Sequence, residues 1–220
     1  MDNTLNYQHD HICILGSGGH AKCVLDTIYN QNNIIQLPNR LKKSIVTPLL
    51  HDDDQTKLNN EVYGAKVVDS IANIKFRSSY LFCAIGNNKI RREIVEKINN
   101  SYWIIIKGVN NSISNSVEIG EGTLILNNTN IGPDVKIGKH CIINNHSNID
   151  HDCVIGDYVH IAPNVTLCGN VEIDDGTLIG AGAIIVPNIK IGKNLLIKAG
   201  SVIKCDILTD KELNEYYKNK

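Results

Sequence analysis

Ile113, Ile119, Ile125, Ile131, Ile137, Ile143, Ile149, Ile155, Ile161, Leu167, Ile173, Ile179, Ile185, Ile191, Ile197 and Ile203 stand six residues apart without a gap. Sixteen aliphatics in one register fit neither the helical period nor plain strand alternation. The spacing is that of hexapeptide-repeat parallel β-helices. Two residues before most of these aliphatics comes a smaller or β-branched one, from Val117, Thr123 and Thr129 through Cys141, Ser147 and Cys153 to Thr177 and Ala183. Glycine often follows the aliphatic, at Gly120, Gly132, Gly138, Gly156, Gly180 and Gly192, where it is expected to relieve steric strain at a corner. Three hexads per turn predict a triangular prism of about 18 residues per coil and about five coils. The stacked aliphatics fill the interior, and the outward positions are left for function.

Upstream of this run the pattern changes. His11 to Leu15 reads as a short buried strand leading into Gly16-Ser17-Gly18-Gly19-His20-Ala21-Lys22, after which Cys23, Val24 and Ile28 keep helical spacing. A strand, a glycine turn and a helix open a phosphate-binding βα unit, because bare backbone N–H groups at a helix N-terminus attract anions. The turn also satisfies the dinucleotide pattern G-x-G-x-x-A, which calls for an acidic residue about twenty positions on. Here the second apolar run, Ile45 to Leu50, reaches Asp52-Asp53-Asp54 only after a polar insert from Asn30 to Lys43 that reads as a loop, so NAD is not the favoured ligand. A third strand, Tyr80 to Ile85, leads through Gly86-Asn87-Asn88-Lys89 into an amphipathic helix with Arg91, Arg92, Ile94, Val95 and Ile98. Tyr102 to Ile106 reads as the last strand before the coil. Carboxyl ends of neighbouring parallel strands face one crevice, so the three turns are expected to line a single nucleotide site.

Composition narrows the partners. A net charge of −1 over 220 residues and a pI near 6.7 offer no polycationic surface, which argues against nucleic acid. The absence of a signal peptide and of a long apolar run leads us to expect a cytoplasmic protein with no membrane partner. Seven cysteines are scattered singly without a CxxC pair, as reduced thiols are; Cys141 and Cys153 fall in the small-residue slots of the coil and read as core filler.

The coil carries four outward histidines, His140, His146, His151 and His160. Asp150-His151-Asp152 stands just past Ile149 at a predicted corner. A carboxylate beside an imidazole favours its protonated form and makes it a better proton acceptor, which acyl transfer to an amine or hydroxyl requires. His151 and His160 lie nine residues apart, half of a predicted coil, on opposite sides of the prism. A side spans up to roughly 20 Å at about 3.3 Å per residue. To serve one reaction the two must meet across a subunit boundary, and a three-sided prism pairs most simply as a cyclic trimer.

Three segments together carry a family resemblance. They are Ile14-Leu15-Gly16-Ser17-Gly18-Gly19-His20-Ala21-Lys22, Ala84-Ile85-Gly86-Asn87-Asn88-Lys89-Ile90-Arg91, and Ile149-Asp150-His151-Asp152-Cys153-Val154-Ile155-Gly156-Asp157-Tyr158-Val159-His160. Over about residues 11–205 the chain resembles the sugar acetyltransferases of the bacterial sialic acid O-acetyltransferase type, especially the nucleotide-4-aminosugar N-acetyltransferases that use acetyl-CoA. The resemblance implies a Rossmann-like α/β domain over residues 1–108, a left-handed parallel β-helix over 109–208 and a short helical tail over 209–220. It implies a homotrimer that transfers an acetyl group from acetyl-CoA to the 4-amino group of a UDP- or GDP-linked amino-dideoxy sugar, without a metal. His151 is then the general base and Asp152 the acid that raises its basicity. His160 is expected to contact the acetyl-CoA end from the adjacent subunit, with Ala181 and Ala199 supplying cofactor-contacting backbone. Backbone N–H groups near Gly169, one coil above His151, are expected to hold the developing oxyanion. Gly18, Gly19, His20, Asp52, Asp53 and Gly86 match the nucleotide-sugar positions.

The chain departs from the family at three places. Asp152 stands where glutamate is common, Lys107-Gly108 replaces a histidine-proline start to the coil, and a polar helix from Thr209 to Lys218 replaces a Gly-Val-Pro-Ala-Lys ending. Other readings of the same residues are an O-acetyltransferase acting on a sugar or sialic acid, a trimeric zinc hydratase using coil histidines, and a nucleotide-binding scaffold with an idle coil. Zinc needs three converging protein ligands, and His140, His146 and His151 do not stack at the coil period.

Overall fold

The computed structural model describes residues 12–30, 35–36, 48–74, 80–98 and 101–218. The N-terminal part contains β1 (Ile12–Leu15), α1 (Gly19–Asn30), β2 (Ile35–Gln36), β3 (Pro48–His51), β4 (Glu61–Val62), β5 (Ala65–Asp69), β6 (Tyr80–Cys83), α2 (Asn88–Val95) and β7 (Tyr102–Trp103). Most of the insert expected to form a loop lies outside the described residues, as does the start of the second apolar run.

Six of these strands form a sheet in the order β4-β5-β3-β1-β6-β7. All neighbours are parallel except β4, which folds back on β5 through Tyr63 and Gly64, both at positive φ. Two successive residues at positive φ make the tight hairpin turn that matches strand twist. Sequence patterning did not anticipate this hairpin. The central strands are buried on both faces, as parallel strands usually are. Ile12, Ile14 and Phe82 pack with Ala21, Val24 and Leu25 of α1, and Cys13, Leu15, Leu81 and Cys83 pack with Ile71, Val95 and Ile98 on the other side.

Seventeen short strands follow among the described residues, β8 (Ile105–Lys107) through β24 (Val202–Ile203), and they stack into three parallel faces. The first face carries Leu124–Ile125, Ile142–Ile143, His160–Ile161, Leu178–Ile179 and Leu196–Ile197 above β8, with β2 antiparallel to β8 at its end. The second runs from Ser112–Ile113 through Asn148–Ile149 and Thr166–Leu167 to Val202–Ile203. The third runs from Glu118–Ile119 through Val154–Ile155 to Lys190–Ile191. Register partners are 18 residues apart, as with Ile125 and Ile143.

Residues two apart on a strand face the same way. The aliphatic and the small slot of each hexad therefore both point inward, and Val135, Ile137, Cys153, Ile155, Val171 and Ile173 are buried together. Each fully buried aliphatic is worth about 2 kcal/mol in area removed from water. Polar residues in the small slots are satisfied by the strand above: Thr123 Oγ1 donates to Gly138 O at 2.9 Å and Thr177 Oγ1 to Gly192 O at 2.6 Å.

Two expectations need correction. The strand expected over Tyr102 to Ile106 is divided: β7 pairs with β6, whereas β8 joins the coil, Ile106 opposite Leu124. The glycines after the aliphatics do not relieve corner strain, because the positive φ falls two residues later, on Asn128, Asp134, His140, Asp152, Tyr158 and Asn164 among others. A Cβ on Gly132, Gly138 or Gly180 would instead stand 2.9, 2.5 and 2.5 Å from atoms of the coil above. Glycine is needed there for close approach between coils.

The N-terminal domain rests on the first face, where Ile106, Leu124 and Ile142 join the cluster of Ile12, Ile14 and Leu25. Arg92 lies over the Tyr158 ring at 4.7 Å, and Asn88 Nδ2 donates to Gly176 O at 2.9 Å. At the far end α3 (Asp210–Lys218) closes the coil. Leu213 is buried and Tyr217 Oη accepts from Lys198 N at 2.8 Å, which sets the helix beside Ala199.

Candidate active site

His151 lies on the corner between the second and third faces. At the same hexad position in three other hexads the backbone N–H is taken by a side chain one coil up: Asn127 N donates to Asn145 Oδ1, Lys139 N to Asp157 Oδ1 and Asp157 N to Asp175 Oδ1. Above His151 that position is Gly169, which has no side chain to offer. The His151 N–H turns instead to Asp150 Oδ1 at 2.8 Å, and the imidazole occupies the space left open. A Cβ on Gly169 would stand 2.7 Å from both Cε1 and Nε2 of His151. The glycine makes a niche for the ring.

Asp152 follows at φ +60°. Aspartate is among the few residues that tolerate this region, and the turn carries its carboxylate back to the neighbouring ring: His151 Nδ1 lies 2.7 Å from Asp152 Oδ2. The shorter acid thus reaches the imidazole. Both side chains are exposed. The hydrogen bond to Asp152, and then the charge of Asp150, raise the His151 pKa above its ordinary value. With Nδ1 engaged, Nε2 is the nitrogen left to accept a proton.

The N-terminal crevice forms where β1, β3 and β6 end. Gly16, at φ +95°, sits against Ile85, where a Cβ would stand 2.9 Å from Cγ1. Gly18 and Gly19 have no atom within 4 Å of an added Cβ, so bare backbone at the start of α1 borders open space. Asp52 works behind this turn. Its Oδ2 accepts from Ser17 N at 2.9 Å, Ser17 Oγ at 2.5 Å and Lys57 Nζ at 3.1 Å, while Oδ1 accepts from Asp54 N at 3.0 Å. Burial would raise the Asp52 carboxyl, but the hydrogen bonds led by Ser17 outweigh it and hold it below the ordinary range. Asp53 Oδ1 accepts from Ser70 Oγ and from Ile71 N at 3.0 Å. Both aspartates are therefore engaged in holding loops together.

The coil enters this crevice through His160, on the first face. Its ring centroid is 6.5 Å from that of His20, and its Nε2 is 3.3 Å from Asn144 Nδ2. A Cβ on Gly86 would touch His20 at 3.8 Å. The structure thus brings together His20, Gly86 and His160, and leaves His151 and Gly169 on a separate corner of the prism. Burial first, and then the charge of Arg91, push His20 down to about 4. Burial, then the charges of Arg91 and His20, push His160 down to about 4 against a smaller opposing contact from the Gly86 backbone. Ala181 and Ala199 are exposed on the corner between the first and second faces, the Ala181 carbonyl accepting from Gly200 N at 2.8 Å.

Asn144 and Arg91 were not singled out from sequence as site residues. Asn144 carries no local signal, since only the stacking of coils sets it beside His160. Arg91 sat in a quoted motif, but helical spacing alone did not mark it as buried. His140 is wedged between Trp103 at 4.8 Å and Tyr158 at 5.3 Å, which removes it from a zinc set. Among the described residues no three or more His, Cys, Asp or Glu side chains converge as a metal site.

Comparison with known proteins follows the same division of the chain. Residues 11–98 match the PglD N-terminal domain, and residues 116–151, 152–187 and 170–205 match the bacterial transferase hexapeptide repeats. Among solved structures, the chain is similar to a variant of perosamine N-acetyltransferase from Caulobacter crescentus in complex with CoA and GDP-perosamine, with a TM-score of 0.78, 27% identity and 91% of each chain covered. It is similar to the acetyltransferase domain of PglB from Neisseria gonorrhoeae in complex with acetyl coenzyme A, with a TM-score of 0.76, 25% identity, and 91% of this chain and 93% of that one covered. WeeI from Acinetobacter baumannii gives a TM-score of 0.74 and 30% identity over 91% of this chain and 94% of that one. An uncharacterized protein of Acanthamoeba polyphaga mimivirus is 32% identical over 117 residues, which is 52% of this chain and 21% of that protein, so the matched stretch spans about a fifth of its length. With likeness to such enzymes running through both domains at once, the chain belongs to the hexapeptide-repeat sugar acetyltransferases, built as a Rossmann-like domain followed by a left-handed parallel β-helix.

Proposed function

We propose that this protein is an acetyl-CoA-dependent N-acetyltransferase acting on the 4-amino group of a UDP- or GDP-linked amino-dideoxy sugar. The observation that carries the reading is the His151–Asp152 pair, an exposed imidazole with Nδ1 held at 2.7 Å and Nε2 directed to the Gly169 niche. Support comes from relatives solved with CoA, acetyl-CoA and GDP-perosamine. The reaction is a direct transfer. The sugar amine attacks the thioester carbonyl carbon, a C–N bond forms, and the C–S bond breaks as CoA departs. His151 Nε2 takes the amine proton and returns it to the leaving sulfur, and Asp152 stabilises the imidazolium between those events. Oxyanion charge falls to the Gly169 N–H, which has no protein acceptor among the described residues.

In this reading Gly18, Gly19, His20 and Gly86 hold the nucleotide-sugar, Asp52 and Asp53 shape the turn from behind, and Ala181 and Ala199 offer backbone to acetyl-CoA. His160 stands beside His20, where sugar and thioester are to converge. The site is completed by a homotrimer in the cytoplasm, because His151 and His160 lie on opposite sides of one prism and a neighbouring subunit must bring the base. The test is a screen of UDP- and GDP-linked 4-amino sugars with acetyl-CoA, followed by release of free thiol. Turnover dependent on one of them is expected. Acetylation of a free sialic acid hydroxyl instead, or full activity in a monomer, would overturn the assignment.

A further inference from the structure

Arg91 is 1% exposed, and every one of its N–H donors is used. Nε donates to His140 O at 2.8 Å, Nη1 to Ile85 O at 2.9 Å and Gly86 O at 3.2 Å, and Nη2 to Asn88 Oδ1 at 2.8 Å and Tyr158 O at 3.0 Å. All five acceptors are neutral. Among the described residues no carboxylate pairs with this guanidinium, although its neighbour Arg92 reaches Glu96 and Asp175. Burying an unpaired charge is unfavourable, and a joint needing only to be packed is served as well by an apolar side chain. The contacts span both domains: Ile85, Gly86 and Asn88 belong to the N-terminal turn and α2, His140 and Tyr158 to coil corners.

We propose that Arg91 is a positioning residue that pins the Gly86 turn to the coil, so that His20 of one domain and His160 of the other meet across one gap. This rests on the proposed acetyl transfer, in which that gap receives sugar and thioester. Arg91 touches neither reactant and acts through the two imidazoles. The charged or titratable groups facing His20 and His160 are Arg91 and each other, with the amide of Asn144 on His160; Arg91 itself faces Cys83, Cys141, Tyr158 and Arg92. Burial, and after it this fixed cation without a counter-ion, keep both rings neutral, each with one donor and one acceptor nitrogen. Such rings suit the hydroxyl and carbonyl oxygens of the two substrates and do not add charge beside the amine.

The experiment compares R91K and R91M with the unaltered protein by kinetics and by NMR titration of the His20 and His160 rings. Lysine keeps the charge but cannot span the carbonyls, so R91K is expected to leave both titrations low while kcat/KM for the nucleotide-sugar falls about tenfold. R91M loses both functions: the titrations rise part of the way toward the ordinary histidine value while burial still holds them low, and kcat/KM falls about a hundredfold. A folded R91M with unchanged titrations overturns the proposal, as does an R91K with unaltered kinetics. If neither variant folds, the unaltered protein decides: His20 or His160 protonating near the ordinary histidine value contradicts the role. If no substrate turns over, the acetyl-transfer reading has failed separately, and the titrations of R91M still test the clamp.

Discussion

His151 and His160 sit half a coil apart, and their surroundings push them in opposite directions. His151 is exposed on a corner, with Asp152 on Nδ1 and Asp150 beside it, and its pKa is raised. His160 is enclosed between the coil and the N-terminal domain, faces Arg91 and His20, and is held at about 4. One ring is prepared to take a proton, and the other is kept from doing so. The helical scaffold is the same in both places; the difference comes from what covers it. On the corner a coil residue is missing its side chain at Gly169, and on the first face a whole domain is laid over the strand.

The comparison is tested hardest by deleting the proposed base. H151A is expected to lower kcat by about a thousandfold or more while isothermal titration with nucleotide-sugar and CoA still shows both binding; an active variant would remove His151 from the mechanism. G169A comes next. Gly169 has an ordinary φ, so alanine is not strained there, but its Cβ displaces the His151 ring. We expect about a hundredfold loss in kcat with a melting temperature close to that of the unaltered protein, and a variant of normal activity would show that the niche is not needed.

D152N sharpens the electrostatic half of the contrast. The Asp152 carboxylate favours protonated His151, and the base works only when neutral. Removing that charge lowers the His151 pKa, so the acid limb of the kcat/KM profile should move to lower pH while the plateau falls about tenfold with the weaker base. An unmoved limb would separate Asp152 from the titration.

The smallest effect concerns stability and belongs to the other histidines. Folding lowers His20, His140 and His160 to about 4 from an ordinary value of 6.5. Below 6.5 the unfolded chain binds protons that the folded one refuses, so stability is complete above 6.5 and is lost as pH falls toward 4. Each is worth on the order of 1–3 kcal/mol across that window. The melting temperature should fall over that range, and less so in H160Q; identical acid profiles for the two proteins would contradict the buried, neutral state of His160.

Much of this architecture was legible in one dimension. The hexad register alone located the large inward aliphatics from Ile113 to Ile203, because a coil repeats the same environment at every sixth residue. Glycine turns after apolar strands disclosed the βα units, and the acids flanking His151 marked it as the candidate base. The positive φ at Asp152, Tyr158 and Asn164 was less visible, since asparagine, aspartate and even tyrosine take it in place of glycine. The β4–β5 hairpin and the short strand Ile35–Gln36 that pairs with β8 also escaped, having no repeat to reinforce them.

What sequence by itself determined is the coil, its phase, and the identity of a histidine between two acids, all set by neighbours in the chain or by a strict period. What tertiary structure decided is where the unrelated pieces meet. His20 and His160 lie 140 residues apart in sequence yet share one gap, and Arg91 binds carbonyls of both domains. No local pattern encodes such a meeting, because it depends on which face of the prism the N-terminal sheet covers, and that is settled by the apolar fit of Ile106, Leu124 and Ile142 against α1 and β1.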